Sequence, residues 1–325
     1  MEHTSIIWRI QGIMVTVFLL MMVVFTSETS ASWNLGMDVD ARMAITDFDE
    51  VDAGIHVVGA SLRKIITDST GDRLILFALV EAHDDFSDWM LHEIYAQYKG
   101  PMGRWNITAG RFSVPYGLNT DYTTSRSMFD DLYPVTLGMA MDSGLMLSGV
   151  VRDIDYGVAV TQGHGAHGTP DFPGETFGTA RLGYTFGDAG EYRFGISAAT
   201  GRTHSKHHPD HKHHEPHTIK RSFAAIDATI EPGHWIARLE LQAGEINDQS
   251  VIGGFGMMDY ALLPRLDLNL AGRAIRTDGH TSGYAYVGAS YRSAWFTFRG
   301  GYTYDTKHKD HILSFQIYRM FSIPF

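Results

Sequence analysis

Short runs in which apolar and polar residues alternate recur along this chain, and that period of two limits its fold more than any other feature. Trp235, Ala237, Leu239, Leu241 and Ala243 alternate with Ile236, Arg238, Glu240 and Gln242. Leu266, Leu268 and Leu270 alternate with Asp267 and Asn269, and Phe296 and Phe298 with Thr297 and Arg299. Ala224, Ile226, Ala228 and Ile230 surround Asp227 and Thr229. Side chains at i and i+2 share one face of a strand, so each run has an apolar face and a polar one. Reading the whole chain this way, with turn residues as boundaries, predicts strands at 33–46, 54–67, 72–83, 88–99, 103–115, 142–152, 155–163 and 176–187. It continues with 191–203, 218–231, 234–246, 250–263, 266–277, 282–293, 295–306 and 311–325, sixteen in all.

The connections sort by parity. One set is tight: Ser69–Gly71, Gly100–Met102, Asp153–Ile154, Asp188–Gly190, Pro232–Gly233, Pro264–Arg265 and Ser293–Ala294. The alternate set includes the long polar segments Gly117–Met141 and His204–His217. Short turns on one rim and long loops on the other, with an even strand number, are the asymmetry of a membrane barrel.

The N-terminus reads as a secretory signal covering residues 1–31. Arg9 precedes an apolar run from Ile13 to Phe25, broken only by Thr16, and Thr29, Ser30 and Ala31 are small enough for cleavage. The run is shorter than the roughly 20 residues of a helical span. No later segment is apolar enough for one, so any membrane crossing is made by strands. The mature domain is then 32–325, a single transmembrane antiparallel β-barrel of the all-β class. A mean hydropathy of −0.12 suits such a barrel, in which an apolar outside and a polar inside average out. Without cysteine there are no disulfides, thiolate metal sites or c-type haem attachment on this chain. Losing Arg9, Glu2 and Glu28 with the signal leaves 25 basic against 35 acidic residues, which excludes nucleic acid as a natural partner.

Near the C-terminus Phe315, Ile317, Phe321, Ile323 and Phe325 alternate, and an aromatic residue closes the chain. This resembles the closing strand of a Gram-negative outer-membrane barrel. Gly110-Arg111-Phe112-Ser113-Val114-Pro115-Tyr116-Gly117 is similar to a strand-end signature met among porins of the phosphate-selective O/P type. Together with strand number and loop order, the chain resembles the sixteen-stranded porins. The resemblance implies passive diffusion of small hydrophilic solutes or ions, with no enzymatic activity and no required cofactor. It also implies that the third long loop, 117–141, folds into the lumen as a constriction. Asp121, Arg126, Asp130 and Asp131 on that loop, and Arg238, Arg273 and Arg299 on the wall, are the expected pore-lining charges. A lysine ladder of the phosphate-selective type is not expected, because only seven lysines are present and Lys206, Lys212, Lys307 and Lys309 fall in external loops.

Seven of the seventeen histidines crowd into 204–217. Neutral imidazole binds Zn²⁺, Cu²⁺ and Ni²⁺, so His207, His208, His211, His213, His214 and His217 are expected to capture such ions weakly. Further histidines, His164, His167, His280, His308 and His311, fall in the same set of connections. Partners expected are outer-membrane lipid and small solutes or ions, with monomer and homotrimer both open. Two other functions fit the same pattern: a scaffold sheathing a partner such as an electron-transfer cytochrome, and a metal-uptake channel. Catalysis lacks a motif, for the chain contains no Gly-x-Ser-x-Gly elbow, phosphate-binding glycine loop or His-Glu-x-x-His.

Overall fold

The computed structural model describes residues 30–69, 71–119, 128, 132–165, 175–204 and 218–325. Its strands are β1 (Ser30–Thr46), β2 (Glu50–Asp68), β3 (Gly71–His83), β4 (Asp88–Lys99) and β5 (Asn106–Ser113). There follow β6 (Met141–Val151), β7 (Ile154–Thr161), β8 (Phe177–Phe186), β9 (Tyr192–His204) and β10 (Thr218–Ile230). The last six are β11 (Trp235–Ile246), β12 (Gln249–Leu263), β13 (Leu266–Thr277), β14 (His280–Arg292), β15 (Thr297–Asp305) and β16 (His311–Pro324). Every strand pairs antiparallel with its neighbours in sequence, and β1 pairs with β16, so the sheet closes into a sixteen-stranded barrel without an edge. No helix among the described residues is long and apolar enough to cross a membrane.

The alternation is inverted relative to a soluble protein. On β11, Leu239 and Leu241 are 50% and 61% exposed, while Glu240 and Gln242 between and beside them are 1% and 2%. Ile226 on β10 is exposed and its neighbours Ala225 and Asp227 are buried. An apolar face turned outward suits lipid, and a closed ladder satisfies the backbone groups that lipid cannot.

Aromatic side chains gather at the short-turn rim. Tyr98 meets Trp105 at 5.7 Å, Phe186 stacks with Tyr192 at 5.1 Å and with Phe194 at 5.6 Å, and Trp33 stacks on Phe325 at 6.3 Å. Amphipathic rings belong at a headgroup boundary, so this ring of aromatics marks one edge of the apolar band.

The sixteen strands lie where the alternation predicts, with ends shifted by a few residues. The fifth is shorter than 103–115, because Pro101–Gly103 forms a 3₁₀ turn with Met102 at φ 55° and Pro115 cannot donate to a ladder. The long connections 114–140, 162–176 and 205–217 all fall on one rim, which also carries the tight turns Asp47–Asp49, Asn247–Asp248 and Asp278–Gly279. Aspartate and asparagine tolerate the positive φ that those turns need. Four register shifts kink the ladder, two of them at His56 and His92.

Candidate functional site: the lumen and its infolded loop

After β5 the chain leaves the wall and runs into the barrel. Gly110, at φ 128°, lets the backbone approach Ile94 so closely that a Cβ would sit 2.2 Å from its carbonyl oxygen. Gly117, at φ 52°, turns the chain inward, and a Cβ there would lie 2.3 Å from the Glu240 carboxylate. The signature's two glycines therefore answer separate steric demands. Between them Arg111 Nη1 donates to Leu91 O at 2.9 Å, and Tyr116 is completely buried.

The infolded segment builds an apolar core of its own inside the polar lumen. Val114, Tyr116, Leu118, Leu132, Tyr133, Leu137 and Met139 pack against Phe177 of β8, Ala199 of β9, Phe223 and Ala225 of β10, Phe255 of β12 and Ile275 of β13. Each fully buried large apolar side chain stabilises this arrangement by about 1.5–3 kcal/mol as an upper estimate. One short helix, α1 (Tyr133–Thr136), lies within it.

Charged and polar wall residues fasten the segment. Glu240 Oε2 accepts from Leu118 N at 2.8 Å and from the Tyr133 hydroxyl at 2.5 Å, while Gln242 Nε2 donates to Oε1 at 2.6 Å. Arg221 Nη1 donates to Val135 O at 2.8 Å and Thr136 O at 2.7 Å, satisfying carbonyls at the end of α1. Arg181 donates through Nε to Gly117 O at 2.7 Å and also pairs with Asp155 at 2.5 Å and Asp227 at 2.7 Å. Ser197 Oγ accepts from Gly117 N at 2.9 Å. Asn119 Nδ2 ties the two ends of the segment, donating to Val114 O at 2.9 Å and Ala140 O at 2.5 Å. Burial and the neighbouring Glu240 hold the Tyr116 phenol above its ordinary pKa, so it stays neutral.

Asp121, Arg126, Asp130 and Asp131 lie outside the described residues, as do His207, His208, His211, His213, His214 and His217. Arg238, Arg273 and Arg299 stand on the inner faces of β11, β13 and β15. Arg238 Nη1 is 3.7 Å from Asp259 Oδ2, the Arg273 guanidinium lies 4.4 Å from the Tyr284 ring centre, and Arg299 Nη1 donates to Gln316 Oε1 at 2.6 Å. Met128 of the infolded segment shares a small cavity with Met257, Asp259, Tyr286, Ser290 and Arg299. Met128 thus stands at the β12–β15 wall, opposite β5 in the closed sheet.

Glu240, Arg221 and Arg181, which hold the loop, are absent from the sequence-based site. They stand at polar positions of alternating strands, and nothing local marks them as touching a segment 122 residues away, as Glu240 does Leu118. Of the histidines near the tract, His164 and His204 stack at 4.1 Å with rings 6° apart, on the long-loop rim.

No family model and no curated protein matches the chain in sequence. Solved structures match it closely in shape. The outer-membrane expressed OmpT of Vibrio cholerae superposes with a TM-score of 0.69 at 11% identity, over 91% of this chain and 99% of that one. An anion-selective porin from Comamonas acidovorans gives 0.62 at 12% identity, over 90% and 100%. Salmonella typhi OmpF, in complex with daunomycin, gives 0.62 at 12% identity, over 89% and 97%. In fold, the chain is a closed sixteen-stranded antiparallel barrel, the architecture it shares with these outer-membrane proteins.

Proposed function

We propose that this protein is an outer-membrane porin through which small hydrophilic solutes or ions diffuse passively, past a constriction made by residues 117–141. The observation that carries the reading is the infolded segment, latched to the inner wall by Glu240, Arg181 and Arg221. A loop that merely covered the mouth would need no such inward anchors. Met128 shares its cavity with Asp259 and Arg299, so wall charges of both signs stand beside the segment there. Asp121, Asp130 and Asp131 opposite Arg238, Arg273 and Arg299 would set a field across the constriction, and lining charge with radius fixes selectivity. Residues 1–31 serve as a cleaved export signal in this reading.

The same segment disfavours a sheath, because it occupies lumenal space that a partner threaded through the barrel would need. Planar-bilayer recording tests the proposal. The intact protein should give discrete conductance steps, and deleting 120–131 should enlarge them. Absence of channel activity in the intact protein rejects the porin, and unchanged steps after deletion reject the constriction.

A further inference from the structure

Two β-bulges near the long-loop rim carry a histidine as the extra residue. Between β1 and β2 the register passes from Asp40 opposite Val57 to Ala41 opposite Ile55, leaving His56 over. Between β3 and β4 it passes from Leu79 opposite Glu93 to Val80 opposite Leu91, leaving His92 over. A bulge re-aims the side chain it frees. Both imidazoles turn toward Glu81 and His83, two residues apart on β3. His83 Nε2 lies 3.1 Å and His92 Nε2 3.5 Å from the same atom, Glu81 Oε2. The His56 ring stands edge-on to His83 at 6.2 Å. This is the inner face: Glu81 is opposite Gly59, which is opposite Asp38, and Glu81 alternates with the lipid-side Val80.

We propose that Glu81, His83 and His92, with His56 as a fourth imidazole alongside, form a binding site for a divalent transition-metal ion on the lumenal wall. Two imidazole nitrogens with one carboxylate oxygen favour Zn²⁺, Ni²⁺ or Cu²⁺ over Mg²⁺ or Ca²⁺, which take oxygen donors. Tetrahedral zinc with bonds of roughly 2.1 Å sets its donors about 3.4 Å apart. The two nitrogen–oxygen separations bracket that spacing; the third side, between the two imidazoles, is longer than 4.8 Å, so binding requires one ring to turn inward. The surrounding charge suits a cation. Asp84 lies 3.6 Å from His56, Asp88 is within electrostatic reach of His83, and Asp38 of Glu81. Arg42, a basic group that acts on His56, is paired with Asp40 at 2.8 Å.

A second cluster, Asp305, His308 and Asp310, brings its donor atoms within 4.8 Å of one another. There Asp305 already accepts from Lys307 N at 2.7 Å and holds His308 Nδ1 at 2.8 Å, as a closed turn requires, and Lys307 and Lys309 repel a cation. At the wall site Glu81 likewise holds His83 Nε2, at 3.1 Å, but Arg42, the cation that acts on His56, is itself paired with Asp40. The inference concerns binding and holds whether or not the lumen conducts.

The test uses the full chain with His207, His208, His211, His213, His214 and His217 replaced by Asn, so that the tract cannot compete. Calorimetry with Zn²⁺ should give one site per chain, and adding His83→Ala with His92→Ala should weaken it at least about tenfold. Bound Cu²⁺ should show nitrogen hyperfine structure that the double variant loses, while heat-modifiable migration on gels shows the barrel still folded. Should zinc affinity survive the double variant, or vanish instead with His308→Ala, the assignment to the wall is overturned. If the starting protein takes up no zinc, it is overturned as well.

Discussion

Glu240 is a carboxylate placed where the polar barrel wall meets an apolar plug, and its three hydrogen-bond donors explain why it is tolerated there. Its worth lies less in the bonds made than in the cost of leaving Leu118 N and the Tyr133 hydroxyl without acceptors. Glu240→Ala should therefore loosen the infolded segment by about 2–4 kcal/mol, most of it from those two orphaned donors. The barrel itself, held by sixteen ladders, should remain folded. Tyr133→Phe removes one donor and should cost about 1 kcal/mol. Limited proteolysis should cut between 119 and 132 faster in Glu240→Ala than in Tyr133→Phe, and faster in both than in the parent. Equal rates in all three would show that the carboxylate does not hold the loop.

At the scale of elements, the strands were legible because lipid and lumen impose opposite polarity on alternate residues. What broke the alternation was harder to see. His56 and His92 read as ordinary strand positions, since a bulge shifts the pattern by one residue without any composition cue. Val114, Tyr116 and Leu118 continue the period of β5, yet they belong to the plug; only Pro115 and Gly117 hint that the wall has ended. The inward direction of Arg238, Arg273 and Arg299 follows from strand parity alone. The contacts of the loop do not, because they depend on which wall residues lie level with it across the barrel. The histidine tract belongs to this scale too. We propose that His207, His208, His211, His213, His214 and His217 together bind Zn²⁺ or Ni²⁺ weakly, through deprotonated imidazole. Affinity of the intact chain should then fall several-fold as pH drops below about 6, where ordinary imidazoles charge. Calorimetry on the chain with its tract histidines intact and with all six replaced by Asn would check this: equal affinity in both would leave the tract a solvated loop.

For the whole molecule, closure is the decisive event, because an open sheet would leave two rows of backbone groups facing lipid. The seam is β1 against β16, in register from Asn34 opposite Pro324 to Thr46 opposite Ile312. Beyond the last ladder pair, Trp33 N donates to Phe325 O and Phe325 N to Trp33 O, each at 3.0 Å, and the two rings stack with planes 7° apart. The terminal phenylalanine is thus both a rung and an interfacial anchor at the short-turn rim. Two hydrogen bonds at about 0.5–1.5 kcal/mol each and a ring contact of similar size give roughly 2–4 kcal/mol to be lost on deleting Phe325. Phe325→Ala keeps the backbone rung and loses the ring, so it should cost the smaller share, about 1 kcal/mol. The readout is the temperature at which the folded, fast-migrating band in detergent converts to the unfolded one. That temperature should fall in the order parent, Phe325→Ala, deletion. A deletion that melts with the parent would mean that the seam is sealed by the β1–β16 ladder without its final rung.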